Sequence, residues 1–410
     1  MDTLTQLTLG AACGEAVLGK KVGNRAMLWG AFGGLLPDFD VFAMFFTDEM
    51  TALAFHRGFM HSILFAVLAA LGLGWLVERL YSSGFYRRRR YKWAVAGFII
   101  AFYLLLLGGF YFIFRQAILN VGFLAAAALA GAGLVWFLWS KYISEELDEV
   151  QATRRDWMWL FFISIVTHPI LDCFTVFGTQ LFQPFSDYRV SFDNISVADP
   201  IYTVPLLLGI LAAAFIRRDK KARQLANWAG LVLSSAYMAL SFYHKAQFNK
   251  VFEQSLGDRG IRYERFMSGP TILNNYLWSG VAEGDTAYYQ GFYSLLDKEQ
   301  KIHQIYTLPK NHNLVVGHQD DRSMRILRWF SKGYYNIITR QDGQLQLNDL
   351  RYGSFEEGFK TENDYIFKFI LEEKDGQMEA KQSREGREIN GEAFSKFFKR
   401  VLAEQVAESR

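Results

Sequence analysis

Long apolar runs follow one another through the first 243 residues, and they restrict the fold of this chain more than any other feature. A helix needs about 20 apolar residues to cross the roughly 30 Å hydrocarbon core of a bilayer. Five runs approach that length: His61–Tyr81, Trp93–Phe114, Ile118–Trp139, Trp157–Phe177 and Leu225–Tyr243. Three shorter ones are Thr3–Leu18, Arg25–Leu36 and Ile201–Ile216. The pattern predicts an all-α polytopic membrane bundle with about six to eight membrane helices.

Basic residues between the runs predict the orientation of that bundle. If all eight segments cross, four loops with most of the Lys and Arg residues lie on the same side. These loops hold Lys20, Lys21 and Arg25; Arg87–Arg90 and Lys92; Lys141, Arg154 and Arg155; and Arg217, Arg218, Lys220, Lys221 and Arg223. The opposite side receives only Arg57, Arg115 and Arg189. By the positive-inside rule the basic side is cytoplasmic, so the carboxyl-terminal region is predicted to be extracytoplasmic.

The composition changes after His244, where charged, aromatic and Gly residues replace the apolar runs. We therefore expect a membrane-embedded domain over residues 1–244 and a soluble α+β domain over residues 245–410. Thr271–Val281 and Thr286–Ser294 are predicted strands joined by a turn at Gly284 and Asp285, and Asp364–Leu371 is a third strand. Gly391–Gln405 has helical periodicity. A net charge of +3 is too small to predict a nucleic-acid partner.

Histidine and aspartate residues gather at the predicted extracytoplasmic ends of the spans. The motifs are Leu36-Pro37-Asp38-Phe39-Asp40, His56-Arg57-Gly58-Phe59-Met60-His61, His168-Pro169-Ile170-Leu171-Asp172 and Asp199-Pro200. Polar groups at membrane depth are costly and commonly functional. Four such motifs that reach one face from distant parts of the chain predict a functional site there.

The spacing of these residues indicates how they could converge. His168 and Asp172 are four apart, so a helix places them on one face. His56 and His61 are five apart and can reach one ion only if the chain breaks between them, which Gly58 allows. Asp38 and Asp40 follow a proline and would both project from a turn.

Imidazole and carboxylate ligands together suit Zn²⁺, and Mn²⁺ or Fe²⁺ are compatible with the same set. The predicted metal ligands are Asp38, Asp40, His56, His61, His168 and Asp172. Two Asp–His sets are enough for two ions, so the number of metals stays open. Such an ion would activate water and polarise a phosphoryl or acyl oxygen.

Several of these residues also have ordinary structural interpretations. Asp199, which precedes Pro200, is predicted to cap the start of a helix. Arg57 is predicted to bind a substrate phosphate, although it could instead reach the membrane interface. Glu15 fits a ligand, a partner of a ligand or a structural contact equally well. A histidine and an aspartate four apart can also form a simple hydrogen bond within a helix.

At these motifs the chain resembles the LexA-regulated, inner-membrane, metal-dependent hydrolases. The resemblance extends over about residues 1–215. It also rests on Met1-Asp2-Thr3-Leu4-Thr5-Gln6, Gly14-Glu15-Ala16, Gly19-Lys20-Lys21, Phe177-Gly178-Thr179-Gln180 and Asp199-Pro200-Ile201-Tyr202-Thr203. It implies a metal-dependent hydrolase of the bacterial inner membrane. A more distant similarity to zinc-dependent phospholipase C and P1 nuclease, which have a comparable HxxxD pair, implies phosphoester chemistry.

The leading hypothesis is a hydrolase that acts on a phosphoester or lipid substrate at the outer leaflet, with membrane lipids as partners. Asp38, His61 and Asp172 are the predicted catalytic residues, and Arg57 the predicted substrate-binding residue. Two alternatives are a metal or proton transporter that uses the same cluster, and a non-catalytic scaffold for the soluble domain. We expect the soluble domain to pack over or beside the mouth formed by Asp38–His61 and Phe177–Asp199. The oligomeric state stays open.

Overall fold

A computed structural model describes residues 1–114, 121–354, 358–383, 385–386 and 391–404. The amino-terminal part is helical. Its α-helices are α1 (Thr3–Val22), α2 (Asn24–Leu35), α3 (Glu49–Phe55), α4 (Ile63–Ser82), α5 (Arg89–Phe114), α6 (Val121–Phe137), α7 (Arg154–Asp172), α8 (Pro200–Phe215) and α9 (Lys221–Gly257). Short 3-10 helices cover Leu36–Phe45 and Phe59–His61. The chain forms two compact units, one of Met1–Ala70 with Leu160–Arg410 and one of Leu71–Trp159.

Several of these helices are suited to a membrane. Within the described residues, four helical segments are long and apolar enough to cross a bilayer: Asn24–Phe45, Ile63–Ser82, Gly122–Ile143 and Lys221–Gly257. The α8 helix is apolar but shorter. A helical region with several apolar spans is thus confirmed, whereas the expected six to eight membrane helices stay a prediction. Residues 118–120, at the start of one predicted run, lie outside the described residues.

Small residues let α1 and α2 pack with their backbones in contact. A Cβ atom added to Gly10 would lie 2.4 Å from the Gly30 carbonyl oxygen, and one added to Gly14 would lie 2.2 Å from the Ala26 carbonyl oxygen. Small residues recur every four positions on both helices, so the same close approach is repeated one helical turn further along. Pairs of membrane helices with small-xxx-small motifs pack in this way. This contact holds the end of α2, and therefore Gly34, beside α7.

The carboxyl-terminal region contains two antiparallel sheets. The first has the order β1 (Arg265–Pro270), β2 (Leu277–Glu283), β3 (Ala287–Ser294), β4 (Ile305–Pro309); the second has the order β5 (Tyr335–Thr339), β6 (Leu345–Asp349), β7 (Lys368–Lys374), β8 (Gln377–Ser383). Two α-helices, α10 (Arg322–Phe330) and α11 (Gly391–Val401), accompany them. The predicted combination of strands and helices is confirmed.

The predicted hairpin is β2–β3, with Glu283 opposite Tyr288 and a turn closed by the Gly284 amide and the Ala287 carbonyl. The predicted first strand was too long, because residues 271–276 form a turn. The Asn274 side-chain oxygen accepts from the amides of Tyr276 and Leu277 at 2.9 and 2.7 Å and holds that turn. The third predicted strand begins only at Lys368. Gln405, the last residue of the predicted helix, lies outside the described residues.

The predicted boundary between residues 244 and 245 falls inside α9, which continues without a break to Gly257. Phe248 and Phe252 of this extension are fully buried and pack with Trp278 and Tyr293 of the first sheet. One helix therefore connects the apolar region with the sheet region directly.

Candidate metal centre

His168 lies near the end of α7 with both ring nitrogens in defined contacts. Its Nδ1 atom is 2.6 Å from the Gly34 carbonyl oxygen. Pro37, three residues after Gly34, has no N–H that could donate to this carbonyl in a 3-10 turn. The Gly34 carbonyl at the end of α2 is therefore left as an acceptor for another donor. His168 Nδ1 must carry the proton to donate to this oxygen, and its Nε2 atom is then left with a lone pair.

His61 meets His168 from the other side. The predicted break in the chain is confirmed, because α3 ends at Phe55 and α4 begins only at Ile63. The intervening turn brings His61 Nε2 to 3.1 Å from His168 Nε2. His61 Nδ1 lies 3.0 Å from Asp40 Oδ2, close enough for an ion pair, although this nitrogen makes no hydrogen bond within the described residues.

Asp38 completes a group of three residues whose ligand atoms all lie within 4.8 Å of one another. Its Oδ1 atom is 3.3 Å from His168 Nε2 and 3.6 Å from His61 Nε2. The Asp38 side chain is 28% exposed, whereas the two histidines are buried. Among the described residues this is the one such group of potential metal ligands. The predicted presence of a His/Asp group that could hold a metal ion is confirmed.

The facing histidine nitrogens favour a cation between or beside them. If both rings are neutral and carry their protons on Nδ1, two lone pairs face each other across 3.1 Å, an arrangement that a metal ion or a proton between the rings relieves. Tetrahedral coordination with Zn–N bonds of about 2.0–2.1 Å separates two ligand nitrogens by about 3.3 Å. The observed separation is close to that value. The donor set and its spacing therefore fit a divalent metal ion.

Asp172 stands beside this group, on the same face of α7 as His168, as its spacing predicted. Its Oδ2 atom is 3.5 Å from both His61 Nε2 and His168 Nε2. This buried oxygen accepts no hydrogen bond within the described residues, although the Arg57 Nε atom lies 3.1 Å away. Gln6 Nε2 donates to the other oxygen at 3.0 Å, and the Met1 nitrogen also contacts it. Asp172 Oδ2 is available as a fourth ligand.

Asp40 and His56 form a second layer around His61. Asp40 Oδ1 lies 2.8 Å from His56 Nδ1, and Asp40 Oδ2 accepts from the Arg57 amide at 2.8 Å and faces His61 Nδ1. A carboxylate that orients a metal-binding histidine usually occupies this position. The structure thus brings the six predicted residues into one region, but Asp40, His56 and Asp172 lie outside the closest group. Ligation of a metal by any of the six stays a prediction.

Arg57 is held tightly beside the centre. Its backbone has a positive φ of 57°, an uncommon conformation for a residue with a side chain. One guanidinium nitrogen donates to the Thr175 hydroxyl at 2.8 Å, and the group lies over the Phe177 ring at 4.8 Å. The side chain therefore balances the charge of Asp172. Its predicted role in binding substrate stays a prediction.

Two other predicted residues have structural roles. Glu15 forms a buried ion pair with Arg223, with both contacts at 2.6 Å, so the structural reading of Glu15 is the one these contacts favour. Asp199 caps α8 by accepting from the Ile201 amide at 3.0 Å, and Tyr237 donates to it at 2.9 Å. The expected capping role of Asp199 is confirmed.

Some residues of the centre were not singled out from the sequence. Gly34 contributes only its backbone carbonyl oxygen, a group that every residue carries, so its residue type gave no signal. Thr175 lies just after α7 and resembles an ordinary turn residue. Gln6 gave a usable signal, because it is a polar residue in a short apolar run and is fully buried beside Asp172.

Arg189 joins the loop after α7 to both the centre and the carboxyl-terminal region. It donates to the His56 carbonyl at 2.8 Å and lies over the rings of Phe177, Trp329 and Phe330. Burial, aided by the charges of Arg57 and Arg351, lowers the pKa of Arg189 to about 9, so the guanidinium is still charged at neutral pH.

The sheet region also contacts the loop that precedes His56. Arg322 pairs with Asp48 at 3.2 Å, and Glu49 accepts from the Gln382 amide at 3.0 Å. Together with Arg189, these contacts confirm that the carboxyl-terminal region packs beside the Asp38–His61 and Phe177–Asp199 segments.

Comparison with known proteins gives one match. The family model described as YdjM inner membrane protein matches residues 1–112 and 121–248. No curated protein and no solved structure matches the chain.

Proposed function

The chain belongs to the YdjM inner membrane protein family, and from this premise we propose that it is a metal-dependent hydrolase acting on a phosphoester or lipid substrate. The observation that carries the proposal is the pair of facing His61 and His168 Nε2 atoms, 3.1 Å apart, with His168 Nδ1 bonded to the Gly34 carbonyl and His61 Nδ1 3.0 Å from Asp40 Oδ2. Asp38 Oδ1 and Asp172 Oδ2 complete a four-ligand set of the kind that Zn²⁺ prefers, and Mn²⁺ or Fe²⁺ are compatible with it.

A divalent cation held there would supply Lewis-acid activation of water and of a phosphoryl or acyl oxygen. The residues of this chain would do the rest. Asp38 is the partly exposed carboxylate of the closest group, so it is positioned to meet both substrate and water. Asp40 would hold the His61 ring in the required tautomer. Arg57 would counter the charge of Asp172 and of an incoming phosphate.

Apolar surface beside Asp38 supports a lipid substrate. The 3-10 helix Leu36–Phe45 exposes the side chains of Phe39, Phe42 and Phe45, and the following residue, Phe46, is exposed to an even greater extent. Exposed aromatic side chains of this kind favour contact with the interfacial region of a membrane. We propose that this segment places Asp38 at the headgroup level, in the outer leaflet according to the distribution of basic loops.

Transport is the less favoured alternative. A pathway for ions would have to continue past His168 between α1, α2 and α7. There α1 and α2 are in backbone contact at Gly10, Gly14 and Gly30. The buried residues of α7 include Leu160, Phe161 and Ile165, and the hydroxyl of Ser164 is bonded to the Gly10 carbonyl. This packing favours a site that opens at one end.

The test is metal analysis of the purified full-length protein together with a hydrolysis assay. We expect bound zinc, manganese or iron in the wild type and its loss in His61→Ala. His303→Ala is the matched control, because the side chain of that histidine is exposed in the sheet region and pairs with the exposed Glu299. Hydrolysis of bis-p-nitrophenyl phosphate or of phospholipid vesicles should disappear with the metal and return when the metal is restored. Metal binding without any hydrolysis would favour the transporter, and absence of metal from both proteins would favour the scaffold.

A further inference from the structure

A cavity of about 350 Å³ lies within the unit that holds the metal centre, between the sheet region and the loops after α7. This volume falls in the range of small-molecule pockets, about 300–1,000 Å³. Its apolar lining includes Val176, Ile195, Val197, Ile272, Ile366 and Phe397. The cavity is distinct from the metal centre, because none of the six predicted ligands lines it.

The rim of the cavity continues into a lipid-facing surface. Val197, Ile272 and Ile366 line the cavity and are each at least 40% exposed. Val197 lies just before α8, whose outward residues Ile201, Val204 and Leu208 are also exposed and apolar. In an inner membrane protein, exposed apolar residues along an apolar helix face hydrocarbon chains. A path of apolar side chains therefore leads from α8 to the cavity.

Polar groups in the wall give the cavity one end suited to a headgroup. The Tyr352 hydroxyl is buried and has no hydrogen-bond partner within the described residues. Within the described residues, the Lys368 ammonium group donates to the Glu362 and Asn363 carbonyl oxygens and to the Asn363 side-chain oxygen, at 3.2–3.4 Å. Tyr352 and Lys368 line the cavity together with Asp364 and Glu385, whose carboxylates act on the Lys368 charge. The Tyr352 hydroxyl can donate to a carbonyl or ester oxygen of a ligand, and the positive charge of Lys368 favours such an oxygen beside it.

We propose that this cavity binds one hydrocarbon chain of a membrane lipid, with its ester or carboxylate oxygen toward Tyr352 and Lys368. The lipid enters from the bilayer past Val197 and Ile366. This binding requires no metal and does not depend on the proposed hydrolase activity.

Photo-cross-linking in the membrane tests the proposal. The full-length protein would carry p-benzoylphenylalanine at Ile366, or separately at Ile272, in vesicles of phosphatidylethanolamine and phosphatidylglycerol. The matched control position is Val316, which is apolar and 68% exposed in the sheet region but does not line the cavity. We expect a covalent adduct with the mass of one phospholipid or fatty acid at Ile366 and Ile272, and none at Val316. Equal labelling at Val316, or no adduct at either rim position, would overturn the proposal.

Filling the cavity separates internal binding from surface adsorption. Ser279→Phe places a ring in the interior, and Ser383→Phe does so at a half-buried strand end, where a larger side chain disturbs folding less. Both variants should lose the Ile366 adduct, whereas Ser279→Ala should keep it. Loss of the adduct in correctly folded Ser383→Phe supports the proposal even if Ser279→Phe unfolds. An adduct that persists in Ser383→Phe would place the lipid outside the cavity and refute it. The metal-site variant His61→Ala should keep the adduct, which distinguishes this proposal from the proposed hydrolase.

Discussion

At the scale of single residues, the ligand geometry of the candidate centre depends on the Nδ1 atoms of His61 and His168. These are the ring nitrogens that point away from the facing Nε2 atoms. The Gly34 carbonyl holds His168 Nδ1, and Asp40 lies against His61 Nδ1. The Gly34 carbonyl fixes the His168 ring by a hydrogen bond, and we expect the nearby Asp40 carboxylate to orient the His61 ring. A metal site with such prearranged ligands avoids the cost of reorienting them when the ion binds.

Asp40→Asn tests this orienting role. The amide cannot act as an anionic acceptor for His61 Nδ1, so we expect metal affinity to fall by about 10- to 100-fold while the fold persists. Competition with a chromophoric chelator at neutral pH would measure the affinity. Asp342→Asn is the control, because Asp342 is an exposed carboxylate beside Arg340 in the sheet region. Unchanged affinity in Asp40→Asn would show that Asp40 does not orient His61.

At the scale of elements, backbone contact between α1 and α2 positions the end of α2 against α7. A Cβ atom on Gly30 would lie 2.3 Å from the Gly10 carbonyl oxygen and 2.9 Å from the Gly14 Cα atom. Because these are backbone atoms, the helices themselves must move apart to admit a methyl group. The Gly34 carbonyl would move with α2, away from His168.

Gly30→Ala should therefore destabilise the protein by about 1–3 kcal/mol, the usual cost of overpacking, and should also weaken metal binding. Thermal unfolding in detergent and metal titration would measure the two effects. Gly97→Ala is the matched control, since a Cβ atom at that helical glycine meets nothing within 4 Å. If Gly30→Ala and Gly97→Ala unfold at the same temperature, close packing of α1 and α2 is not important for stability.

At the scale of the whole molecule, Arg189 connects the sheet region to the candidate metal centre, and the long helix α9 connects it to the apolar helical region. Arg189 contacts carbonyls of the His56 loop and aromatic residues of α10. The sheet region therefore supports the loop on which His56 and Arg57 lie, in addition to containing its own cavity.

Arg189→Met removes a buried charge-assisted donor while keeping much of the side-chain volume. We expect a loss of about 2 kcal/mol in the free energy of unfolding, because the His56 carbonyl loses a charged partner. Denaturant unfolding of the detergent-solubilised protein would measure it. Arg322→Met breaks the exposed pair with Asp48 and should cost less than about 1 kcal/mol. A larger loss in Arg322→Met than in Arg189→Met would contradict the importance of Arg189.

Topology can be tested in the same molecule. Reporter tags at Arg88 and at Arg218 should indicate the cytoplasm, and a tag after Arg410 should indicate the extracytoplasmic side, because the basic loops are predicted to stay inside. Paired fusions to alkaline phosphatase and to a fluorescent protein would give opposite signals at each position. A cytoplasmic carboxyl terminus would place the metal centre at the inner leaflet and exclude an outer-leaflet substrate.

The sequence by itself determined the features that depend on local geometry. Apolar runs identified the helical region, the four-residue spacing put His168 and Asp172 on one face, and Gly58 marked the break before His61. The hairpin of β2 and β3 followed from its turn residues. These features are set by backbone periodicity within a few residues.

Only the tertiary structure decided which polar residues belong to the closest group and which support it. Asp38, His61 and His168 converge, Asp40 turns toward two histidines, and Glu15 pairs with Arg223, 208 residues away in the chain. Spacing could not separate these roles, because they depend on which helices pack together and on the direction of each ring. The Gly34 carbonyl shows the reason most clearly, since every residue carries such a group and only packing brings this one to His168.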